Sequence, residues 1–228
     1  MFPLYDENRS RTRSYITWTL IIINAVVFVW QLERGLLTYS VEVAWDINTY
    51  GMIPLNVMRR ERLFTLLTSM FMHGGLVHIG GNMLYLYIFG DNVEDRFGHV
   101  KYLIIYLFFG IVAGLTHAWF SIQKSGYEAL MPVIGASGAI SGILGAYVLL
   151  YPNARIVTGV YLGYFGRLIR VPSIFFLGVW FIFQFIQSLI DPSSGVAYWA
   201  HIGGFIIGLL VAIPFRIRGI RRNKNWWE

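Results

Sequence analysis

In 228 residues the chain carries 56% hydrophobic side chains against 13% charged ones, with a mean hydropathy of +0.57. A soluble globular domain holds roughly 25% charged residues, so the composition excludes that class and indicates a multi-pass membrane protein. Cysteine is absent, which removes disulfides, thiolate metal sites and a thiol nucleophile together.

A helix needs about 20 apolar residues to cross a bilayer. Six such runs follow in chain order, from Ile16, Leu76, Tyr102, Val133, Ser173 and Val196, ending near Gln31, Val93, Phe120, Tyr151, Ile190 and Phe215. They are far longer than barrel strands, so helices are the expected spanning form. The first run follows Arg9, Arg11 and Arg13 as a signal peptide would, but no small-residue cleavage site comes after it, and we read it as a retained helix. The runs divide the chain into a basic flank over 1–15, one six-helix domain over 16–215 and a basic tail over 216–228. The expected fold class is therefore an all-α membrane protein, with no internal repeat and no second domain.

Between the first two runs, Gly35 to Gly75 is too long for an ordinary connection and too apolar in places for a solvated loop. Its stretches around Val43-Ala44-Trp45 and Leu63-Phe64-Thr65-Leu66-Leu67 predict short amphipathic pieces at the outer interface, with Trp45 and Tyr50 as headgroup-level anchors.

Lys and Arg concentrate on the cytoplasmic side of membrane proteins. With the N-terminus inside, the inner segments hold Arg9, Arg11, Arg13, Arg96, Lys101, Arg155, Arg167, Arg170, Arg216, Arg218, Arg221, Arg222 and Lys224, thirteen of the 18 basic residues. The outer segments keep Arg34, Arg59, Arg60, Arg62 and Lys124. Both termini are expected inside, and the net charge of +6 is assigned to topology and lipid headgroups rather than to nucleic acid.

On this topology the second, fourth and sixth runs all enter from outside, and His78, Ser137 and His201 fall within roughly two turns of that end at about 1.5 Å per residue. Gly138 and Gly142 in the fourth run, and Gly204 and Gly208 in the sixth, form small-xxx-small patterns that let helices approach closely. A serine hydroxyl needs a base to become a nucleophile, and histidine has the pKa for that task. Ser137 also lies near a helix N-terminus, where backbone N–H groups and the macrodipole favour a developing oxyanion. His78 and Asn82, at i and i+4, share a helix face and can both donate to it.

Taken singly, these residues have plain readings: serine bonding its own i−4 carbonyl, histidine at a helix end, glycine as packing. For Gly142, Gly204 and Gly208 we keep the packing reading, and His99 and His117 carry no functional case. A zinc protease would want His-Glu-x-x-His, which is missing, and Asp46, Asp91, Asp95 and Asp191 lie in loops or at helix ends rather than as a buried aspartyl pair. A transporter would place its polar groups near the midplane.

The ordered set Thr68-Ser69-Met70-Phe71-Met72-His73, His78-Ile79-Gly80-Gly81-Asn82, Val93-Glu94-Asp95-Arg96-Phe97-Gly98, Gly135-Ala136-Ser137-Gly138 and Ala200-His201-Ile202-Gly203-Gly204 resembles the rhomboid intramembrane serine proteases. The resemblance implies a six-transmembrane-helix rhomboid bundle with a membrane-associated first outer loop. It implies a Ser137–His201 dyad that hydrolyses a peptide bond in or near the transmembrane helix of a single-span substrate. By the same carry-over His78, Asn82 and the Ser137 backbone N–H bind the oxyanion, while His73 and Gly135 support the site. Glu94 and Arg96 match a structural motif at the inner end of the second helix. No cofactor or metal is implied.

Two departures stand out against the family pattern. Rhomboids often carry Trp-Arg in the first outer loop, where this chain has Phe64-Thr65 with Arg62 just upstream, and often an aromatic residue four after the nucleophile, where it has Ser141. The second leaves His201 without its usual packing partner, and no carboxylate is placed to complete a Ser-His-Asp arrangement, so slow turnover is expected. Water must reach the site from the outer side, and substrate must enter sideways from lipid, by expectation beside the fifth helix and the loop containing Pro192 and Gly195. Without a transit peptide or an extra domain, the expected location is a prokaryotic plasma membrane. A non-enzymatic relative that binds transmembrane clients is the main competing reading, and such relatives commonly lose the serine or histidine that this chain keeps.

Overall fold

The structure, a computed structural model, describes residues 2–123, 126–162, 165–190 and 195–224. Lys124 and the Asp191-Pro192-Ser193-Ser194 part of the expected entry loop lie outside the described residues, as does the end of the tail from 225.

The chain opens with a strand, β1 (Phe2–Asp6), and a long helix, α1 (Tyr15–Glu33). Three short helices follow in the loop region, α2 (Val41–Tyr50), α3 (Pro54–Met58) and α4 (Thr65–Thr68), and then the long pair α5 (Leu76–Phe97) and α6 (His99–Gln123). After α7 (Ser137–Leu150) comes a hairpin of β2 (Arg155–Leu162) and β3 (Phe165–Pro172), and the chain closes with α8 (Ser173–Ile190) and α9 (Tyr198–Lys224). A helix lies over each of the six apolar runs, and α1, α6, α8 and α9 are long and apolar enough to cross a membrane. The protein is a mostly helical, integral membrane bundle.

The strands differ from the all-α expectation. β2 pairs antiparallel with both β3 and β1, so that Ile156, Val157 and Thr158 are buried in a three-stranded sheet at one end of the bundle. Pro3 can donate no ladder bond, and it sits on the edge strand where the register slips between Pro3 and Tyr5. The amino-terminal segment is thus partly structured. α9 likewise runs on to Lys224, past the expected end of the sixth run near Phe215.

At the sheet end, polar groups are bonded across the elements. Glu94, fully buried near the end of α5, accepts from the backbone N–H groups of Ile16 (2.9 Å) and Thr17 (2.8 Å) and from the Thr17 hydroxyl (2.7 Å). Those are orphan donors of the first turn of α1, and a carboxylate there also meets the positive end of the helix dipole. Asp95 accepts from the N–H and hydroxyl of Thr12, and the Arg96 guanidinium donates to the Phe215 carbonyl. The motif read as structural therefore ties α5 to α1 and α9.

The loop region is held by polar clips. The Gln31 amide donates to the His73 carbonyl (3.1 Å) and accepts from the His73 N–H (2.9 Å), pinning the entry to α5 against α1. Arg34 pairs with the buried Asp46 at 2.8 Å. Where the family often has Trp-Arg, Arg62 donates to the carbonyls of Asn48 (3.0 Å) and Thr49 and lies over the Phe64 ring. Arg62, three positions upstream of Thr65, thus ties the loop to the end of α2. Trp45 is exposed while its neighbours Val43 and Asp46 are buried, giving α2 two distinct faces.

α7 is the centre of the bundle. Every residue from Gly138 to Val148 is buried, as expected of a helix that is apolar all round. Its 14 residues give about 21 Å at about 1.5 Å per residue, well short of a hydrocarbon core of about 30 Å. The fourth apolar run begins at Val133, but Val133 instead exchanges backbone bonds with Met52 (3.0 and 2.8 Å), and the helix starts at Ser137. α9 crosses α7 at backbone contact distance. A methyl group at Gly204 would strike the Gly138 carbonyl, and one at Gly208 the Gly142 carbonyl.

Candidate active site

Ser137 is the first residue of α7, and His201 stands in the first turn of α9. The glycine contact between those helices brings the two side chains together: Ser137 Oγ lies 2.8 Å from His201 Nε2. The first N–H groups of α7, Ser137's included, have no carbonyl one turn back to bond.

His78 and Asn82, in the first two turns of α5, form the facing wall. The Gly74 N–H donates to His78 Nδ1 at 3.2 Å, so Nδ1 is the acceptor and the ring's Nε2 carries the hydrogen. Asn82 is buried, and its Nδ2 finds no hydrogen-bond partner among the described residues. A buried amide donor without a partner costs about 1–3 kcal/mol, a cost that an acceptor in the site would offset. Together with Ser137, Trp180, Gln184 and His201, these residues line a cavity of about 770 Å³.

Gly135 donates its N–H to the Ser69 carbonyl (2.9 Å) and holds φ +127. A Cβ there would sit 2.7 Å from His78 Nε2, so only glycine fits between the α7 entry and the histidine. His73 is wholly buried beside His78, their ring centroids 5.1 Å apart, and is not among the residues lining the cavity. Its neighbours fit support rather than contact with a substrate.

The group facing the other side of His201 was not legible in the sequence. Gln184 of α8 places Oε1 2.7 Å from His201 Nδ1, and Trp180, one turn earlier, lies 6.1 Å from the imidazole between ring centroids. Ser141, in the position where an aromatic residue is usual, bonds the Ser137 carbonyl at 2.6 Å, the i−4 pattern of serine in helices. The signal available was the pair Gln184 and Gln187 within a largely apolar run, polar residues being costly in a membrane and often functional, and the sequence does not say which of the two faces the histidine.

Comparison with known proteins places the chain among its relatives. The Rhomboid domain family model matches residues 60–218. The chain is 31% identical over 84% of its length to RHOMBOID-like protein 12, mitochondrial, of Arabidopsis thaliana, and 32% identical over 90% to Rhomboid protease GluP of Bacillus subtilis. It is 28% identical over 97% of its length to Rhomboid protease GlpG of Salmonella typhi. It spans 55% of the Arabidopsis protein, 35% of GluP and 70% of GlpG. With the family model covering well over half of its residues, including every element of the cavity wall named above, the chain belongs to the rhomboid family.

Proposed function

We propose that the protein is an intramembrane serine endopeptidase, acting on single-span transmembrane proteins near the outer membrane face through Ser137 and His201. The observation that carries this reading is the 2.8 Å contact between Ser137 Oγ and His201 Nε2 at the wall of a large cavity. Relatives named as rhomboid proteases support it.

His201 takes the Ser137 proton as the oxygen attacks the scissile carbonyl carbon, forming a tetrahedral intermediate. Its oxyanion is held by the Ser137 N–H, the Asn82 amide and the His78 Nε2–H, each such donor being worth about 3 kcal/mol in the transition state. His201 then gives the proton to the leaving amine; in the second half it takes a proton from water, whose oxygen attacks the acyl carbon, and passes that proton to Ser137 Oγ as the acyl–oxygen bond breaks and the acid is released. His73 and Gly135 hold this wall in place.

The bundle is assigned six spans, with α5 and α7 added to the four long apolar helices and α7 buried among the others. Both termini are placed in the cytoplasm, the cavity opens outward, and substrates enter from lipid beside α8. A helical substrate must unwind before attack, which favours small or helix-breaking residues near its outer end.

Cleavage of a model single-span substrate in liposomes tests the reading against Ser137→Ala and His201→Ala. Loss of cleavage in both folded variants is expected. Cleavage surviving Ser137→Ala would sink it, and client binding without cleavage by the wild type would indicate a non-enzymatic relative.

A further inference from the structure

We propose that Gln184 is the positioning residue of the site, an uncharged third member that fixes the tautomer of His201; the inference rests on the dyad read above. The Gln184 side chain is 7% exposed, and its Oε1 stands 2.7 Å from His201 Nδ1. An amide oxygen only accepts, so Nδ1 must carry the ring hydrogen and donate it. The neutral ring then presents a lone pair at Nε2, 2.8 Å from Ser137 Oγ, as a general base requires. With the opposite tautomer Nε2–H would point at the hydroxyl, and no proton could be taken.

The choice of an amide follows from the surroundings. In a serine triad a carboxylate does this work and also stabilises the imidazolium. A carboxylate on α8 would be an ionisable group within an apolar helix, costly to bury. The amide keeps orientation and tautomer without that cost, and gives up the charge. The slow turnover expected from the sequence would then have its physical cause in the acceptor itself. Trp180, one turn earlier on the same face of α8, lies beside the imidazole with its ring centroid 6.1 Å away.

The remaining surface of α8 faces outward: Ile174, Phe175, Val179, Ile182, Phe183 and Ile186 are all exposed. Gln184 is thus carried by a helix anchored in the bundle along one narrow strip. Orientation of the base therefore depends on α8 being seated against α9.

The test compares Gln184→Leu, which removes the acceptor, with Gln184→Glu, which keeps an oxygen at the same place, in the full chain in liposomes. Removing the partner that orients a metal-ligating histidine costs about 10- to 100-fold, and by analogy we expect a fall of that size in kcat for Gln184→Leu with KM unchanged. Gln184→Glu should recover most of the rate. The nitrogen-15 spectrum of labelled His201 should show protonation at Nδ1 in the wild type and loss of that preference in Gln184→Leu. A Gln184→Leu rate within about threefold of wild type with an unchanged tautomer would overturn the proposal, as would equal losses in both variants. If Gln184→Leu lowers the thermal midpoint, Gln184→Met, similar in length but without the acceptor, is read by the same criterion. Cleavage surviving Ser137→Ala would overturn the dyad instead, while the spectrum still reports on Gln184.

Discussion

The sheet end of the bundle spends its polar groups on one another, whereas the site end keeps some of them unspent. At the sheet end Glu94 caps α1 with three bonds, Asp95 holds Thr12, and Asp6 accepts from Tyr147 and Asn92. At the other end the Asn82 amide nitrogen, on the cavity wall, is buried without a hydrogen-bond partner among the described residues. Both ends are polar and enclosed. The difference is that satisfied groups lock elements together, while unsatisfied donors are preorganised for an acceptor that arrives later. Substitutions at the two ends should therefore separate activity from stability.

The largest effect falls at the site end. Ser137→Ala should lower kcat by about a thousandfold or more while leaving the thermal midpoint in detergent within a degree or two. A large drop in the midpoint would instead make Ser137 part of the packing. Asn82→Ala should follow at about 100-fold in kcat, the loss typical of one oxyanion donor, again with little change in stability, since the amide nitrogen makes no bond to lose.

Glu94→Ala reverses the pattern. Removing a buried carboxylate that accepts three bonds from α1 and lies 2.6 Å from His99 Nδ1 should destabilise by about 3 kcal/mol, read as a fall in the thermal midpoint, with kcat unchanged while the protein stays folded. Equal losses of rate and stability would erase the distinction between the ends.

Asp6 gives the smallest effect and a signed one. Burial, outweighing the hydrogen bond from Tyr147, pushes its carboxyl up from 3.8 to about 6. The folded protein then binds this proton more tightly than the unfolded chain does. That stabilisation is fully present below about 3.8 and is lost as pH rises through about 6. Between pH 5 and pH 7 the wild-type midpoint should fall slightly, and Asp6→Asn should flatten the slope; an unchanged slope would show that another group sets it.

The helices were legible because hydrophobic runs report burial in lipid directly, and the pairing of Ser137 with His201 was legible because motif order and small-residue spacing carried it. The sheet was not, since β1 and β2 are about 150 residues apart and periodicity says nothing about long-range pairing. The late start of α7 was hidden because Val133-Ile134 is apolar but spent on a bridge to Met52. Gln184 was hidden for a simpler reason: no spacing rule links a glutamine on one helix to a histidine on the next, and only packing brings them to 2.7 Å. Arg62 shows the same limit, its contact with Asn48 depending on how the loop folds back.

Activation of Ser137 by His201 is read most directly through labelling by a small fluorophosphonate, followed by mass spectrometry on intact protein and peptides. It requires no transmembrane substrate and so isolates the pair from entry through the lipid. One adduct is expected, on Ser137, formed by the wild type and lost in Ser137→Ala and His201→Ala. Labelling that persists at the wild-type rate in His201→Ala, or an adduct on another residue, would contradict it.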